Sequence, residues 1–83
     1  MTRLCDPPLP IEVELGLDGA PARVSGGPLR GPLRPYSRWL ADADWWARPI
    51  AREYWKAVLG VDLLVEVFHD LHADAWYLER IYD

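Results

Sequence analysis

Apolar and polar residues alternate along several short stretches of this chain, and a period of two is typical of β-strands with one buried face. The first stretch sets Glu12 and Glu14 on one face and apolar residues on the other; the apolar ones are Ile11, Val13, Leu15 and Leu17. Asp18-Gly19 then predicts a two-residue hairpin turn. We therefore expect Ala20 to Ser25 to return antiparallel, starting on a sheet edge because Pro21 cannot donate a ladder hydrogen bond.

The last third of the chain predicts a meander of three antiparallel strands. Alternating residues run through Ile50 to Leu59, Leu63 to His69 and Ala75 to Tyr82, and turn residues separate them at 60–62 and 70–74. Connections this short favour antiparallel neighbours. The alternation in the final strand predicts two faces. One carries Trp76, Leu78 and Arg80, and the other carries Tyr77, Glu79 and Ile81.

The middle of the chain predicts irregular structure. Residues 26–35 contain three glycines and three prolines, which resist both helix and central strand, so we expect an exposed loop there. Tyr36 to Leu40 is a candidate short strand, and Ala41 to Ala47 a turn or a single helical turn capped by Asp42.

These elements together predict a mainly β fold: a small antiparallel sheet of about five strands, curled into an open barrel or a sandwich. Residues 10–83 would form this single domain, and residues 1–9 a flexible, proline-rich leader. A chain of 83 residues hides only about 60–65% of the surface that its unfolded form exposes. Aromatic side chains should therefore supply much of the core. The residues predicted to be buried are Trp39, Tyr54, Trp55, Phe68 and Trp76.

Composition indicates a cytoplasmic bacterial protein. No apolar run approaches the ~20 residues that a membrane span needs, and the N-terminal residues lack the apolar segment of a secretory signal. Cys5 is the single cysteine and has no partner for an internal disulfide. We expect no membrane partner.

The charge distribution disfavours binding to duplex DNA. The net charge is -4, the pI is near 5.0 and Lys56 is the single lysine, whereas non-specific DNA affinity comes from lysine and arginine replacing counterions. Six arginines nevertheless lie between residues 23 and 52. They form either a solvated surface or a local basic face.

No pattern in the chain indicates catalysis. There is no grouping of a nucleophile with a base and no glycine-rich loop that opens a helix for phosphates. His69 and His72 carry metal-ligand chemistry, but turns are also rich in Asp, which bonds nearby backbone amides. We predict a protein that is not an enzyme, with no catalytic residues, no cofactor and no metal site.

Exposed aromatics are the strongest indication of function. Adjacent strand residues face opposite sides, so one member of the Trp45-Trp46 pair should stand on the surface. Tryptophan, tyrosine and arginine dominate protein-binding hot spots, and the same residue types stack single-stranded bases. The residues predicted to bind a partner are Tyr36, Trp45, Trp46, Arg48 and Arg52. The acidic net charge favours a protein partner; single-stranded nucleic acid and self-association into a homodimer remain alternatives.

The C-terminal half also carries a recognisable motif series. It consists of Trp45-Trp46, Arg48-Pro49, Arg52-Glu53-Tyr54-Trp55, a turn at Gly60, Phe68-His69-Asp70-Leu71, Trp76-Tyr77-Leu78-Glu79 and Ile81-Tyr82-Asp83. This series resembles a small bacterial family of unknown function. The family occurs as stand-alone proteins of about this length, and similar sequence forms the C-terminal tail of inactive Y-family polymerase homologues in the damage-induced translesion mutasome.

The resemblance covers most of residues 10–83 and is strongest from residue 45 onward. It implies a shared fold and a protein-interaction role in DNA repair, with a repair polymerase or a recombinase-like protein as the partner. It implies no catalytic residues.

Overall fold

A computed structural model describes residues 2–45 and 48–82, with the side chains of 42–50 left out of the description. Its six strands follow one another along the chain: β1 Thr2–Leu15, β2 Pro21–Gly26, β3 Gly31–Trp45, β4 Arg48–Leu59, β5 Leu63–Asp70 and β6 Ala75–Tyr82. The described residues contain no helix, and so none that is long and apolar enough to cross a membrane.

The strands form a closed antiparallel barrel in the order β1-β2-β3-β4-β5-β6, in which β1 also pairs with β6. The predicted mainly β fold with a curled antiparallel sheet is confirmed, with six strands where about five were expected. The meander of β4, β5 and β6 is confirmed as well. Its two short turns let each strand fold back on its predecessor, as in the pair Trp55–Val67.

The barrel interior is filled from one face of each strand. Its buried residues are Ile11, Val24, Leu33, Trp55, Ala57, Leu59, Val65, Val67 and Leu78. In β4 and β5 the buried residues stand at alternate positions, as expected for strands with one buried face. Three of them, Ala57, Val65 and Val67, have no exposed surface at all, so these two strands form the centre of the core.

The middle of the chain differs from the prediction. The loop after β2 spans only residues 27–30, because Gly31 already pairs with Val24. β3 then continues through the segment expected to be a turn between Ala41 and Ala47, at least as far as Trp45. Pairing with β2 at Gly31 and Pro32 and with β4 from Leu33 to Trp45 outweighs the local glycine and proline preferences. Pro35 is tolerated because proline is compatible with an edge strand.

The first strand and its turn also differ from the prediction. The residues expected to form a leader lie in β1, where Thr2, Arg3 and Leu4 pair with β6. The predicted two-residue turn is wrong, since β1 ends at Leu15 and β2 starts at Pro21. Gly16 donates to the carbonyl of Ala20 within this longer loop, at 2.8 Å.

A bulge in β6 interrupts the predicted alternation. Glu66 pairs with Arg80 and Val67 with Leu78, so Glu79 has no opposite residue on β5. Arg80 therefore points outward with Glu66, while Ile81 packs against the core. The predicted grouping of Arg80 with Leu78 is wrong for this reason.

Candidate interaction surface

Four aromatic rings form a row across the outer face of the barrel. The strand register sets Trp39 opposite Tyr54, Tyr54 opposite Phe68, and Phe68 opposite Tyr77. The ring centroids of successive members lie 5.4, 5.2 and 5.2 Å apart. Aromatic cross-strand pairs of this kind stabilise a sheet. We call these four residues the aromatic row.

The centre of the aromatic row is closed to solvent. Phe68 is only 2% exposed although it does not belong to the interior core cluster. The guanidinium carbon of Arg52 lies 4.5 Å from its ring centroid, and Tyr54 and Tyr77 flank it. A pocket of about 230 Å³ opens beside the row, lined by Pro7, Pro8, Arg52, Phe68, Asp70 and Tyr77. The row is thus a second, smaller apolar cluster outside the barrel.

Arg52 is held in place by its neighbours. Its Nη1 donates to the hydroxyl of Tyr54 at 3.4 Å, and this hydrogen bond is the main cause that raises the pKa of Arg52, with smaller contributions from Asp70 and Glu79. A guanidinium over an aromatic ring is attracted by the ring quadrupole. Arg52 therefore stays charged while covering Phe68.

The β3 end of the row is open to solvent. Every residue from Arg34 to Leu40 is exposed. Tyr36 is 77% exposed, Leu40 58% and Trp39 40%. Tyr36 sits at a bulge, because Pro35 pairs with Ala57 and Ser37 with the next residue, Lys56. We call residues 34–40 the exposed β3 segment. It presents large apolar side chains on both faces of one strand.

Arg38 and Glu53 organise the inner side of this segment. Arg38 Nη2 donates to Glu53 Oε2 at 2.6 Å, and Trp55 Nε1 donates to Glu53 Oε1 at 3.1 Å. The Arg38 guanidinium also lies 5.5 Å from the Trp55 ring. These contacts tie the exposed β3 segment to the barrel through side chains as well as through the ladder.

The aromatic residues expected in the core separate into three groups. Trp55 and Phe68 are buried, as predicted. Tyr54 and Trp76 are half-buried. For Trp39 the expected burial is wrong: β2 pairs with β3 only at Gly31 and Pro32, so no strand covers the part of β3 that carries Trp39.

Among the described residues, four of those predicted to bind a partner lie at separate positions along the β3–β4 hairpin: Tyr36, Trp45, Arg48 and Arg52. Tyr36 is exposed near its base, and Arg52 lies on the outer face opposite Ala41. Trp45 pairs with Arg48 at the far end, about 30 Å from Tyr36 along an extended strand. The side chains of Trp45 and Arg48, and Trp46 as a whole, lie outside the described residues. On the described backbone, Tyr36 and Trp45 therefore lie far apart, and the predicted set stays a prediction.

Trp39 and Leu40 were missed as surface candidates, and Arg38 was predicted only as one of the six surface arginines. Their exposure follows from the shortness of β2, which has six residues against fifteen in β3. Neither a bulge nor an unpaired strand edge changes the alternation of apolar and polar residues. At these positions an exposed apolar residue therefore has the same sequence pattern as a core residue.

The histidine-containing turn is arranged through its own side chains. His69 Nε2 lies 2.8 Å from Asp74 Oδ1, and the His69 ring stacks on Trp76 with centroids 4.6 Å apart. Asp70 accepts from the backbone amides of His72 and Ala73. Within residues 2–45 and 48–82 no three His, Cys, Asp or Glu side chains are grouped in a way that could hold a metal ion.

Two carboxyl groups meet on the outer face beside the aromatic row. Burial is the main cause that raises the pKa of Glu79, followed by a hydrogen bond with Glu66 and repulsion between the two groups. Glu66 also accepts from Tyr82 Oη at 3.4 Å and pairs with Arg80 Nε at 3.5 Å. The β6 bulge at Glu79 creates this pair.

Comparison of the chain with models of protein families, with curated proteins and with solved structures finds no significant match. The likeness of residues 10–83 to a polymerase-homologue tail therefore stays a prediction. Arguments about function start from the geometry above.

Proposed function

We propose that this protein is a non-enzymatic accessory module of the bacterial cytoplasm that binds a protein partner through its β3–β4 hairpin during translesion DNA repair. The observation that carries the proposal is the exposed β3 segment, where Tyr36, Trp39 and Leu40 are all exposed to solvent. Aromatic residues grouped on a surface are typical of protein-binding hot spots. The repair setting comes from the resemblance of the C-terminal half to the polymerase-homologue tail.

Trp39 is suited to act as the anchor of this surface. Its ring stacks on Tyr54 with an interplanar angle of 5°, so the indole is already held in one orientation before a partner arrives. A side chain ordered in advance loses less conformational entropy on binding. Tyr36 and Leu40 then extend the contact along the same strand.

The packing of the aromatic row supports a protein partner over single-stranded nucleic acid. Bases stack on open ring faces, whereas Tyr54 lies between Trp39 and Phe68, and Phe68 between Tyr54 and Tyr77. The net charge of -4 further disfavours phosphate binding.

The proposal is tested by affinity capture from bacterial cells with damaged DNA, using wild-type protein and variants as baits. Tyr36→Ala and Trp39→Ala should lose a repair polymerase or recombinase-like protein that the wild type recovers. Leu17→Ala is the matched control, because Leu17 is a fully exposed apolar residue in the loop between β1 and β2. Trp46→Ala tests one of the two tryptophans of the predicted set and should lose the same protein.

Direct binding of the recovered protein in purified form must then reproduce this order of variants. Equal recovery by every bait, or recovery of nothing, would contradict the proposal. Binding of a labelled single-stranded oligonucleotide that weakens steeply with salt would instead favour the nucleic-acid alternative.

A further inference from the structure

The outward edge of β3 is open over most of the strand. β2 pairs with β3 only through Gly31 and Pro32. From Leu33 to Trp45, β4 is the one strand that pairs with β3 among the described residues. Alternate residues of an antiparallel strand direct their amide and carbonyl groups to each side, so this edge offers a row of backbone donors and acceptors. A strand of fifteen residues is long for such an edge, since the average is about 5–6.

From Ser37 onward the edge has few of the features that block strand pairing. Native proteins protect open edges with prolines, bulges, charged side chains, short strands or a covering element. In β3 the bulge lies at Tyr36, and Arg38 is the one charged residue between Ser37 and Ala41. The first half of β1 follows this rule with Pro7, Pro8 and Pro10, which cannot donate. β3 has no proline or glycine after Pro35, and its residues 36–40 are exposed on both faces. The segment therefore remains able to pair with another strand.

The charge around this edge indicates what kind of strand it would accept. Residues 19–40 hold four of the nine basic residues and none of the 13 acidic ones. The basic residues there are Arg23, Arg30, Arg34 and Arg38. Arg38 is already paired with Glu53, whereas the Arg34 guanidinium donates to the backbone carbonyl of Val61. Arg34 is therefore the arginine on β3 that an acidic segment beside Tyr36 would meet.

We propose that the free edge of β3 from Tyr36 to Ala41 binds an extended, acidic segment of a partner protein by adding it as a further strand. Main-chain hydrogen bonds would supply affinity in this mode, and alternate side chains would supply specificity. Trp39 on the outer face and Leu40 on the inner face would contact alternate apolar residues of the incoming strand. This inference rests on the proposed function, because it uses the same surface.

The test starts from a display library of random peptides of about ten residues, which is long enough to cover the segment at ~3.3 Å per residue. Peptides selected on the wild-type protein should be acidic and should alternate charged with apolar residues. Synthetic copies are then N-methylated at every second residue, in each of the two registers. One register should weaken binding by at least about tenfold and the other should have little effect, because only alternate amides face the protein.

A charge exchange tests the acidic character. Arg34→Glu should weaken binding of the acidic peptides, and peptides with lysine in place of their acidic residues should bind Arg34→Glu better than wild type. Arg34 is an exposed residue whose Nη2 donates to the carbonyl of Val61 at 3.3 Å, so a thermal denaturation curve of the variant accompanies each titration.

The outcomes separate this inference from the proposed function. If peptides lose affinity with Trp39→Ala but tolerate N-methylation in both registers, strand addition is wrong and the interaction module stands; if they show no acidic bias, the acidic occupant is wrong. If no peptide is selected, or if Tyr36→Ala and Trp39→Ala bind the peptides as wild type does, strand addition at this edge is wrong, and the capture experiment alone decides the interaction module. Sedimentation showing a wild-type dimer that Leu40→Lys disrupts would identify a second copy as the occupant and overturn the acidic-peptide assignment.

Discussion

Trp39 stacks on Tyr54 across the β3–β4 pair, with ring centroids 5.4 Å apart and planes inclined by 5°. One side of the indole packs on the barrel, while 40% of the residue remains exposed. The contact thus connects the buried aromatic row to the exposed β3 segment. It also predicts that Trp39 contributes more to binding than to folding.

Trp39→Ala should lower the free energy of unfolding by only about 1 kcal/mol, the scale of an aromatic pair. Trp55→Ala is the contrasting variant, because Trp55 is 9% exposed and lies in the core; it should cost about 3–5 kcal/mol. Urea denaturation measures both. Equal losses in the two variants would show that Trp39 is a structural residue and would remove it from the binding surface.

Arg52 should contribute to stability through Phe68. Replacing it with alanine removes the guanidinium over the ring and the hydrogen bond to Tyr54, and we expect a loss of about 1–2 kcal/mol. Arg52→Lys should recover part of this, since an ammonium keeps the charge but not the planar contact. Arg23→Ala, at an exposed position on β2, is the control and should stay within about 0.5 kcal/mol of wild type.

A loss of unfolding free energy in Arg52→Ala that Arg23→Ala does not show would favour a structural role for Arg52. If partner capture is lost while the denaturation midpoint is unchanged, the sequence-based assignment of Arg52 to the binding surface is supported instead.

The sequence predicted the strands correctly where the alternation is regular and the turn to the next strand is short. β4, β5 and β6 meet both conditions, since their alternation is regular as far as Leu78. β3 does not meet them, since its pairing with β4 stabilises an extended chain through Pro32 and Pro35 that local preferences disfavour. The length of β3 therefore depends on its pairing with β4 and not on its own sequence alone.

The candidate site was harder to predict for a related reason. The sequence pattern predicted Tyr36 to be exposed but Trp39 to be buried. An apolar residue in a strand has the same sequence pattern whether or not a neighbouring strand pairs beside it. How much of β3 is covered depends on the start of β2 at Pro21, because the antiparallel pair Arg23–Pro32 runs toward that end of β2 as β3 proceeds. The bulge at Glu79 likewise has no sequence signal, and it alone brings that residue beside Glu66.

Gly27 should tolerate substitution less well than Gly19. Its φ is +119°, and an added Cβ would lie 2.9 Å from Ile11 Cγ2 and 3.0 Å from the Pro10 carbonyl. Gly27→Ala should therefore cost about 1–3 kcal/mol from backbone strain, plus the displacement of β1. Gly19→Ala is the matched control, with φ +81° but no atom within 4 Å. If the denaturation midpoints of the two variants fall equally, β1 can shift away from a Cβ at position 27 at little cost in stability.

The carboxyl pair on the outer face predicts a specific dependence of stability on pH. The pKa of Glu79 is raised above its ordinary value of 4.5, chiefly by burial and then by Glu66. The folded protein therefore holds the proton on Glu79 more tightly than the unfolded chain does. This contribution to stability is fully present below about pH 4.5 and is lost as the pH rises through the folded pKa.

Glu79→Gln removes this dependence, because the amide resembles the protonated acid at every pH. The gain in unfolding free energy of the variant over wild type should be near zero at about pH 4, grow as the pH rises and then level off. Repeating the comparison in a Glu66→Gln background should reduce the gain without abolishing it, since burial, the largest cause, remains. Urea midpoints from about pH 4 to about pH 8 test this. A gain in unfolding free energy that is constant across this pH range, or largest in acid, would contradict a raised pKa at Glu79. The bulge would then have no electrostatic cost.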